Sequence, residues 1–524
     1  MHKFRYAALI AAALFGLLIF ARAAVGPLVF PVSVRTPINI ESFCALLITV
    51  VFLCGGTDNT PATPKRQANI AIAVFVIVAL VVAGFWRAIG IYFLADDLVL
   101  VTRANAFHLS KVKELLTTAE AAAFFRPLVH LTMAGTAQWA HFDPRMWRLT
   151  AVALHAVNSV LVFMLAARLG LSRMSALLAG ALFGVHGLLP ESVLWIAGWF
   201  GTLSTFFVLC GLILFLEHLA RKGPSRVWYG IAALAAMAFA LLTKETAYAF
   251  PLLALLLAWD RQVVVRRAVP MLIAFFAGAA VIFAYRWSLL GGIGGYTDLS
   301  GGGPLLMRLS IISALRSLLL RIWAVLYFPV NWSRQPELWL ALLTALYIAA
   351  LVWLAAKSSN RRSIAFAIAF VLVSALPPLE QLLIGPDLQK SRELYLPLVG
   401  FCLLLGRAAE ALPASGRAVV STTLVVFNLA ALQHNIDIWR DVGETAKRTC
   451  AAAAACSKNG SSRVSGVPGS LDGVYFLGVG FPECVGMAAQ SSASALPAVS
   501  DPAELTWNAD KRELSCSATH HGSP

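Results

Sequence analysis

The sequence is short of charge, and shortest of acids. Of 524 residues only 13% are charged, with 26 acids against 41 lysines and arginines. Soluble chains carry about a quarter charged residues, so a globule surrounded by water is excluded. The apolar runs do not alternate with polar residues, which excludes a membrane β-barrel. No compact block of Lys and Arg occurs, so nucleic acid is not an expected partner. The formal charge of +15 is read instead as the Lys/Arg excess of cytoplasmic loops. No Walker-type or Rossmann glycine pattern is present, and no nucleotide cradle is expected. No internal repeat of fixed period is found.

What the chain has is apolar length. It is 59% hydrophobic, with a mean hydropathy of +0.77. The expected fold is all-α, a polytopic integral membrane protein with about 13 transmembrane helices, each run near the ~20 residues a bilayer needs. Residues 1–68 would hold two spans. The first, Tyr6 to Phe20, precedes Ala21-Arg22-Ala23 and reads as an anchor or a signal peptide. Residues 69–433 would form the membrane catalytic domain, and residues 434–524 a small extracytoplasmic tail. The basic loop residues Lys65 with Arg66, Arg168 with Arg173, Arg221 with Arg226, and Arg261 with Arg267 fall on one, cytoplasmic, side of this threading. Leu98 to Arg148 is too polar to span and reads as one or two helices along the outer surface. Leu305 to Val330 holds Arg308, Arg316 and Arg321 and reads as an interfacial or re-entrant segment, since a central Arg costs about 2.5–3.5 kcal/mol on insertion.

The organising stretch is Ile91 to Asp97. It closes an apolar run and ends in two adjacent carboxylates, Asp96 and Asp97. In a chain with few acids, an ionisable pair where a span leaves the bilayer is a candidate for chemistry. The same threading puts Arg126, His186, Glu191, Lys244, Glu245, Arg392 and Glu393 on that side, acids mixed with bases. Each has a plainer reading. An Asp pair can simply solvate a helix end. Glu191 follows Pro190 at a helix start, where a carboxylate stabilises the macrodipole by about 0.3–1 kcal/mol. Lys244 and Glu245 can be a neutral pair in a tight turn. His155 and Asn158, polar on an apolar helix, read as interhelix hydrogen bonders.

The tail carries Cys450, Cys456, Cys484 and Cys516. An even number fits disulfides in an oxidising compartment, with three pairings open. Ala451 to Ala455 reads as a linker, and Asp472-Gly473 as a turn leading into a short strand. No chemistry is expected of the tail. Asn331-Trp332-Ser333 and Asn459-Gly460-Ser461 fit the N-glycosylation pattern.

Several of these stretches resemble a known family, the GT-C fold glycosyltransferases. The likeness is greatest to protein O-mannosyltransferases and the transmembrane O-mannosyltransferases that carry tetratricopeptide repeats. Asp96-Asp97 resembles the acidic motif of the family's first outer loop. Phe125-Arg126-Pro127-Leu128, with His155 and Asn158 downstream, resembles its RPL stretch. His186 to Trp195 resembles its "HP…E.V.W" hairpin, and Lys244-Glu245 its KE turn. Ser391-Arg392-Glu393-Leu394-Tyr395-Leu396-Pro397 resembles its "ERxLYLP" motif. The likeness covers about Asn69 to Leu432. It departs at Gly187, where the family has Pro, at Trp199, where it has Arg, and at Ser391, where it has Glu. The repeat array is absent from this sequence.

The resemblance implies transfer of a mannose-like sugar from a polyprenyl-phosphate carrier to a protein or glycan acceptor. The active site would face the periplasm of a bacterial inner membrane, and the C-terminus would be extracytoplasmic. Asp96 or Asp97 would be the catalytic base. Arg126, His186, Glu191, Lys244, Glu245, Arg392 and Tyr395 would bind the substrate or the lipid phosphate. The partners would be the lipid-linked sugar, the acceptor and membrane lipid. The resemblance fixes no cofactor, and a divalent metal held by carboxylates stays open. The competing expectations are a polytopic transporter or lipid flippase, with charges near the bilayer midplane, and an inactive scaffold.

Overall fold

A computed structural model describes residues 64–119, 124–263, 265–295, 310–334, 338–357, 361–382, 384–456, 463–491 and 503–518. The two N-terminal spans, the Ala21-Arg22-Ala23 site, most of the Gly-rich stretch after Leu290 and the Asn459 sequon lie outside them. The described chain is mostly helical. Among the described residues six helices are long and apolar enough to cross a membrane. The protein is a polytopic integral membrane protein; the figure of about 13 spans was an expectation from apolar runs, several of which form shorter helices.

The first span, α1 (Pro64–Phe85), ends in a 3-10 turn and leads to α2 (Asp96–Asn105). Three short helices, α2, α3 (Val112–Thr117) and α4 (Pro127–Ala140), occupy the polar segment before α5 (Pro144–Arg168). The start of α5 is set by Asp143, whose side chain accepts the Arg145 amide at 2.9 Å, with Pro144 at the first helical position. Then come α6 (Arg173–Val185), the single turn α7 (Pro190–Val193), α8 (Trp199–Ala220), α9 (Pro224–Leu241), α10 (Phe250–Asp260) and α11 (Val265–Leu290). The Arg-bearing segment is broken into α12 (Ile311–Arg316), a π-helical turn at Ser317–Arg321 and α13 (Ile322–Tyr327). It is not among the candidate spans. The helices α14 (Leu338–Lys357), α15 (Arg361–Ala375), α16 (Tyr395–Ala409) and α17 (Ala414–Cys456) follow.

The centre of the bundle is α6, wholly buried from Ser175 to Val185. It packs on α1, α5, α16 and α17. Gly180 and Gly184 allow this: a Cβ at Gly180 would lie 2.8 Å from Phe163 Cβ, and one at Gly184 2.8 Å from Val81. Small residues four apart let membrane helices approach closely, where burial of apolar surface no longer drives association. His155 and Asn158 knit the same region. His155 contacts the Tyr395 hydroxyl at 2.7 Å and the Gly184 carbonyl at 3.1 Å, while Asn158 Nδ2 donates to the Thr202 carbonyl at 2.9 Å and to Tyr395 at 3.1 Å.

Two expectations are corrected in the C-terminal part. The domain boundary at 433/434 falls inside α17, a continuous helix of 43 residues, about 65 Å long at 1.5 Å per residue. Ala451 to Ala455 is the last turn of that helix, not a linker, as alanine's helix propensity favours. Beyond it lie β1 (Arg463–Ser465), β2 (Ser470–Leu471), β3 (Val474–Tyr475), α18 (Phe481–Ser491), β4 (Ala503–Asn508) and β5 (Glu513–Ala518). The strands form a three-stranded sheet, β1-β4-β5, and the hairpin β2-β3. That hairpin turns on Asp472 and Gly473, both at positive φ, as an Asp-Gly pair favours. Cys450 at the end of α17 is joined to Cys484 in α18 by a disulfide.

The bundle has two polar ends. One gathers Arg168, Arg261, Arg407 and Arg417: Arg261 and Arg407 donate to the Leu169 carbonyl at 3.2 and 2.9 Å, and Arg168 pairs with Glu217 at 3.0 Å. The other end holds most of the motif residues. Asn331 belongs to that end too, but its sequon is closed. It is 3% exposed, and its amide donates to the Asp472 carbonyl at 2.9 Å.

Candidate active site

The turn that presents the aspartates is strained. Ala95 has φ 44° and ψ −118°, a region that L side chains rarely adopt, at a cost on the order of 1–3 kcal/mol. The Asp97 amide donates to the Leu94 carbonyl at 2.9 Å and closes the turn. Asp96 is then the first residue of α2.

The two carboxylates have different surroundings. Asp97 is 0% exposed. Its Oδ2 accepts from Arg148 Nη2 at 2.7 Å and from the Leu94 amide at 3.2 Å, and its Oδ1 from the Ile196 amide at 2.6 Å. Burial raises this carboxyl above the usual aspartate range, and Arg148 and the two amides pull it back. Arginine does not release its proton, so electrical neutrality requires the carboxylate. Enclosed in this way, the Asp97 carboxylate is closed off from solvent. Asp96 is only partly buried. Burial raises its carboxyl above the usual range, and the nearby Arg392 charge partly offsets that.

Beside Asp96 runs a chain of ion pairs drawn from distant stretches. Arg392, from the turn before α16, bonds Glu191 of α7 and lies 3.4 Å from Glu393. Glu393 accepts from Lys244 Nζ at 2.7 Å. Next to Lys244, Glu245 accepts from Arg126 Nε and Nη2 at 3.0 and 2.8 Å, and from Arg286 Nη1 at 3.0 Å. Burial lowers Lys244 below the usual lysine range, with Glu393 opposing it. Burial would push Glu245 up, but Arg126 and Arg286 hold it below the usual glutamate range. Glu393 is likewise held low against burial by Lys244 and Arg392. Burial pushes Glu191 up despite Arg392. The Arg392 guanidinium also sits 4.9 Å from the Trp195 ring centre and 5.4 Å from that of Tyr475.

Of the residues expected here, Asp96, Arg126, Glu191, Lys244, Glu245 and Arg392 are brought together at one end. Two take other places. His186 is buried, its Nε2 on the Leu326 carbonyl at 3.0 Å and its Nδ1 facing the Leu188 amide at 3.4 Å. Burial lowers it to about 3. Both ring nitrogens are used by backbone, so none is left for a substrate. Tyr395 is 1% exposed, and its hydroxyl is committed to His155 and Asn158 between helices. Three residues of this end went unlisted from sequence: Arg148, Arg286 and Tyr475. Arg286 had a signal, since a lone arginine in an apolar stretch must find an acid. Among the described residues no group of three His, Cys, Asp or Glu side chains is placed to hold a metal ion.

The departures from the motif have packing reasons. A Cβ at Gly187 would lie 2.5 Å from the Pro329 carbonyl, so proline does not fit. Trp199, where the motif has Arg, is 1% exposed and tilts against Trp147 with ring centres 5.5 Å apart.

No family model matches the chain. It is 30% identical over 185 residues to the protein O-mannosyl-transferase TMTC3 of Mus musculus, a match that takes in 33% of this chain and 20% of that protein. It is 36% identical over 124 residues to the protein O-mannosyl-transferase Tmtc1 of Drosophila melanogaster, covering 24% of this chain and 14% of that one. The matched part is thus about a fifth or less of the relatives' length. Among solved structures, ArnT from Cupriavidus metallidurans bound to undecaprenyl phosphate aligns over 86% of this chain and 94% of its own, at 12% identity and a TM-score of 0.43. Over about a third of its length, then, this chain is a distant homologue of the TMTC protein O-mannosyl-transferases.

Proposed function

We propose that the protein is a membrane glycosyltransferase of the GT-C type. It moves a mannose-like sugar from a polyprenyl-phosphate carrier to a hydroxyl of a protein or glycan, on the extracytoplasmic face. One observation carries this reading: a partly exposed carboxylate, Asp96, stands beside Arg392 in an ion-pair chain that also holds Lys244, Arg126 and Arg286. The distant homology to O-mannosyl-transferases supports it. The basic opposite end supports the orientation, because Lys and Arg concentrate on the cytoplasmic side.

The reaction needs little more. Asp96 takes the proton of the acceptor hydroxyl, whose oxygen bonds to the anomeric carbon. The bond from that carbon to the phosphate oxygen breaks, and the electron pair leaves with the lipid phosphate. Arg392 and Arg126 stabilise the charge that develops there, arginine being suited to two-point contact with phosphate. Asp97, locked to Arg148, is a positioning residue that fixes the start of α2.

A transporter or flippase would carry its ionisable groups near the bilayer midplane, whereas these sit at helix ends. The observation favouring an inactive scaffold is Trp199, an apolar residue at a motif arginine. The test separates them. Membranes holding the full chain are given polyprenyl-phosphate-linked mannose and a hydroxyl acceptor, and labelled product is counted. Wild type transfers, and Asp96→Asn loses transfer by about 10²–10⁴-fold, the usual worth of a general base. Full transfer by Asp96→Asn, or none by wild type with any lipid-linked sugar, removes the enzyme reading.

A further inference from the structure

The C-terminal tail, of which no chemistry was expected, lies against the candidate site. The Ala95 amide donates to the Phe476 carbonyl at 2.7 Å. The Ala95 carbonyl faces Gly480, which has φ +80°; a Cβ at Gly480 would stand 2.6 Å from that oxygen. One residue further back, the Tyr475 ring is stacked on Trp195, with centres 4.5 Å apart and planes 13° from parallel. The Tyr475 hydroxyl accepts from Arg392 Nη1 at 3.4 Å. The segment is pinned on both sides. Asp472 bonds Arg334 at 2.7 Å, and the disulfide at Cys484 joins α18 to α17.

The tail thus hydrogen-bonds the amide of the strained residue that precedes Asp96, packs Gly480 against its carbonyl, and contacts the Arg392 cation beside Asp96. A backbone at φ 44° does not hold itself, because an alanine relaxes to negative φ once its restraints go. We propose that the tail segment Tyr475–Gly480 is a positioning element for Asp96, which holds the Ala95 turn in its strained form and keeps Asp96 and Arg392 in one geometry. This rests on the reading of Asp96 as the base. It makes the tail part of the catalytic unit.

Gly480→Ala in the full-length protein tests it, since the added methyl meets the Ala95 carbonyl. Two readouts are taken on the same purified material. The first is hydrogen exchange of the 94–98 peptide, which needs no substrate; exchange there rises by about tenfold or more while the 144–168 helix is unchanged. The second is sugar transfer from the lipid-linked donor. There kcat falls by about tenfold or more and KM for the donor stays within about twofold, as misplacement of a catalytic group predicts. Adding Ala95→Gly restores kcat to within about threefold, because glycine accepts positive φ without support. A protein merely damaged by Gly480→Ala is not rescued by a glycine at 95.

Unchanged exchange at 94–98 overturns the proposed grip whatever the activity. Faster exchange with wild-type kcat, or no rescue in the double variant, overturns the positioning role. A wild type inactive with every lipid-linked sugar overturns the enzyme reading instead, and the exchange result still decides the grip. If Gly480→Ala loses protection throughout the chain, Tyr475→Leu, which removes the stack and the hydroxyl, takes its place with the same expected pattern.

Discussion

The adjacent aspartates are expected to fail in opposite ways. Asp97→Asn removes the only carboxylate that, among the described residues, pairs with Arg148, a side chain with 0% exposure. Among the described residues Arg148 then keeps one acceptor, the Tyr92 carbonyl at 3.0 Å, while its Nε and Nη1 have no partner there even in the native arrangement. A buried charge left without its counter-ion costs about 3–5 kcal/mol. The asparagine also turns one acceptor into a donor, opposite the Leu94 and Ile196 amides that Asp97 accepts from. The loss should therefore fall near the top of that range. Removing the arginine as well returns part of it, because an uncharged pair of similar volume has no desolvation to offset. Thermal inactivation of the detergent-purified protein, followed by aggregation on gel filtration, gives the ranking. Asp97→Asn falls well below wild type, Asp97→Asn/Arg148→Met recovers much of the difference, and Asp96→Asn stays close to wild type. Equal midpoints for the two single variants, or a double variant worse than Asp97→Asn, would refute the assignment of Asp97 to structure.

Four further outcomes follow from the same geometry. The acid limb of the rate profile should lie above 3.8, the ordinary value for aspartate, because burial raises Asp96; activity rises as pH passes through the raised value and the base is freed. The stability term has the opposite sign: a carboxyl that holds its proton more tightly when folded loses that stabilisation as pH rises through the folded pKa, so Asp96→Asn flattens stability against pH in that window. Arg126→Lys keeps the charge but loses the two-point contact with Glu245, and transfer should fall by roughly ten- to a hundredfold, on the order of 1.4–3 kcal/mol. The Cys450–Cys484 bridge spans 34 residues, worth about 4 kcal/mol by loop closure; Cys450 is buried, so in unfolded protein a maleimide should label it only after reduction, as mass spectrometry of the 450 peptide would show.

Much of this was legible in the sequence because membranes impose simple rules. Each expected span among the described residues coincides with a helix, and the motif residues Asp96, Arg126, Glu191, Lys244, Glu245 and Arg392 converge at one end. What sequence could not divide was Asp96 from Asp97. They are neighbours with the same chemistry, and their difference comes from Arg148, 51 residues away. His186 and Tyr395 were assigned to the site because their motifs flank it, yet each turns its polar atoms to groups in the bundle. The end of α17 was missed because apolar patterning stops near Gln433, while the helix goes on with buried Ile436, Trp439, Val442, Ala446 and Cys450 as its inner face. These recur at helical spacing; the stripe is visible once the segment is not required to be a span.

The tail is a harder case, and the reason is physical. Its hold on Ala95 is made by backbone: the Phe476 carbonyl accepts from the Ala95 amide, and the Gly480 main chain packs against the Ala95 carbonyl. Every residue but proline offers the same backbone donor and acceptor, so no side-chain pattern encodes which carbonyl meets which amide. Only two letters leave a trace. Gly480 is glycine because its φ and the Ala95 oxygen leave no room for a Cβ, and Tyr475 is aromatic because Trp195 offers a flat face. A glycine and a tyrosine in a polar tail signify little alone. They become informative beside Ala95, where a residue with a Cβ takes a conformation that glycine takes freely. The chain keeps alanine there and spends a glycine at 480 instead, which is what is expected if the turn before Asp96 is held from outside.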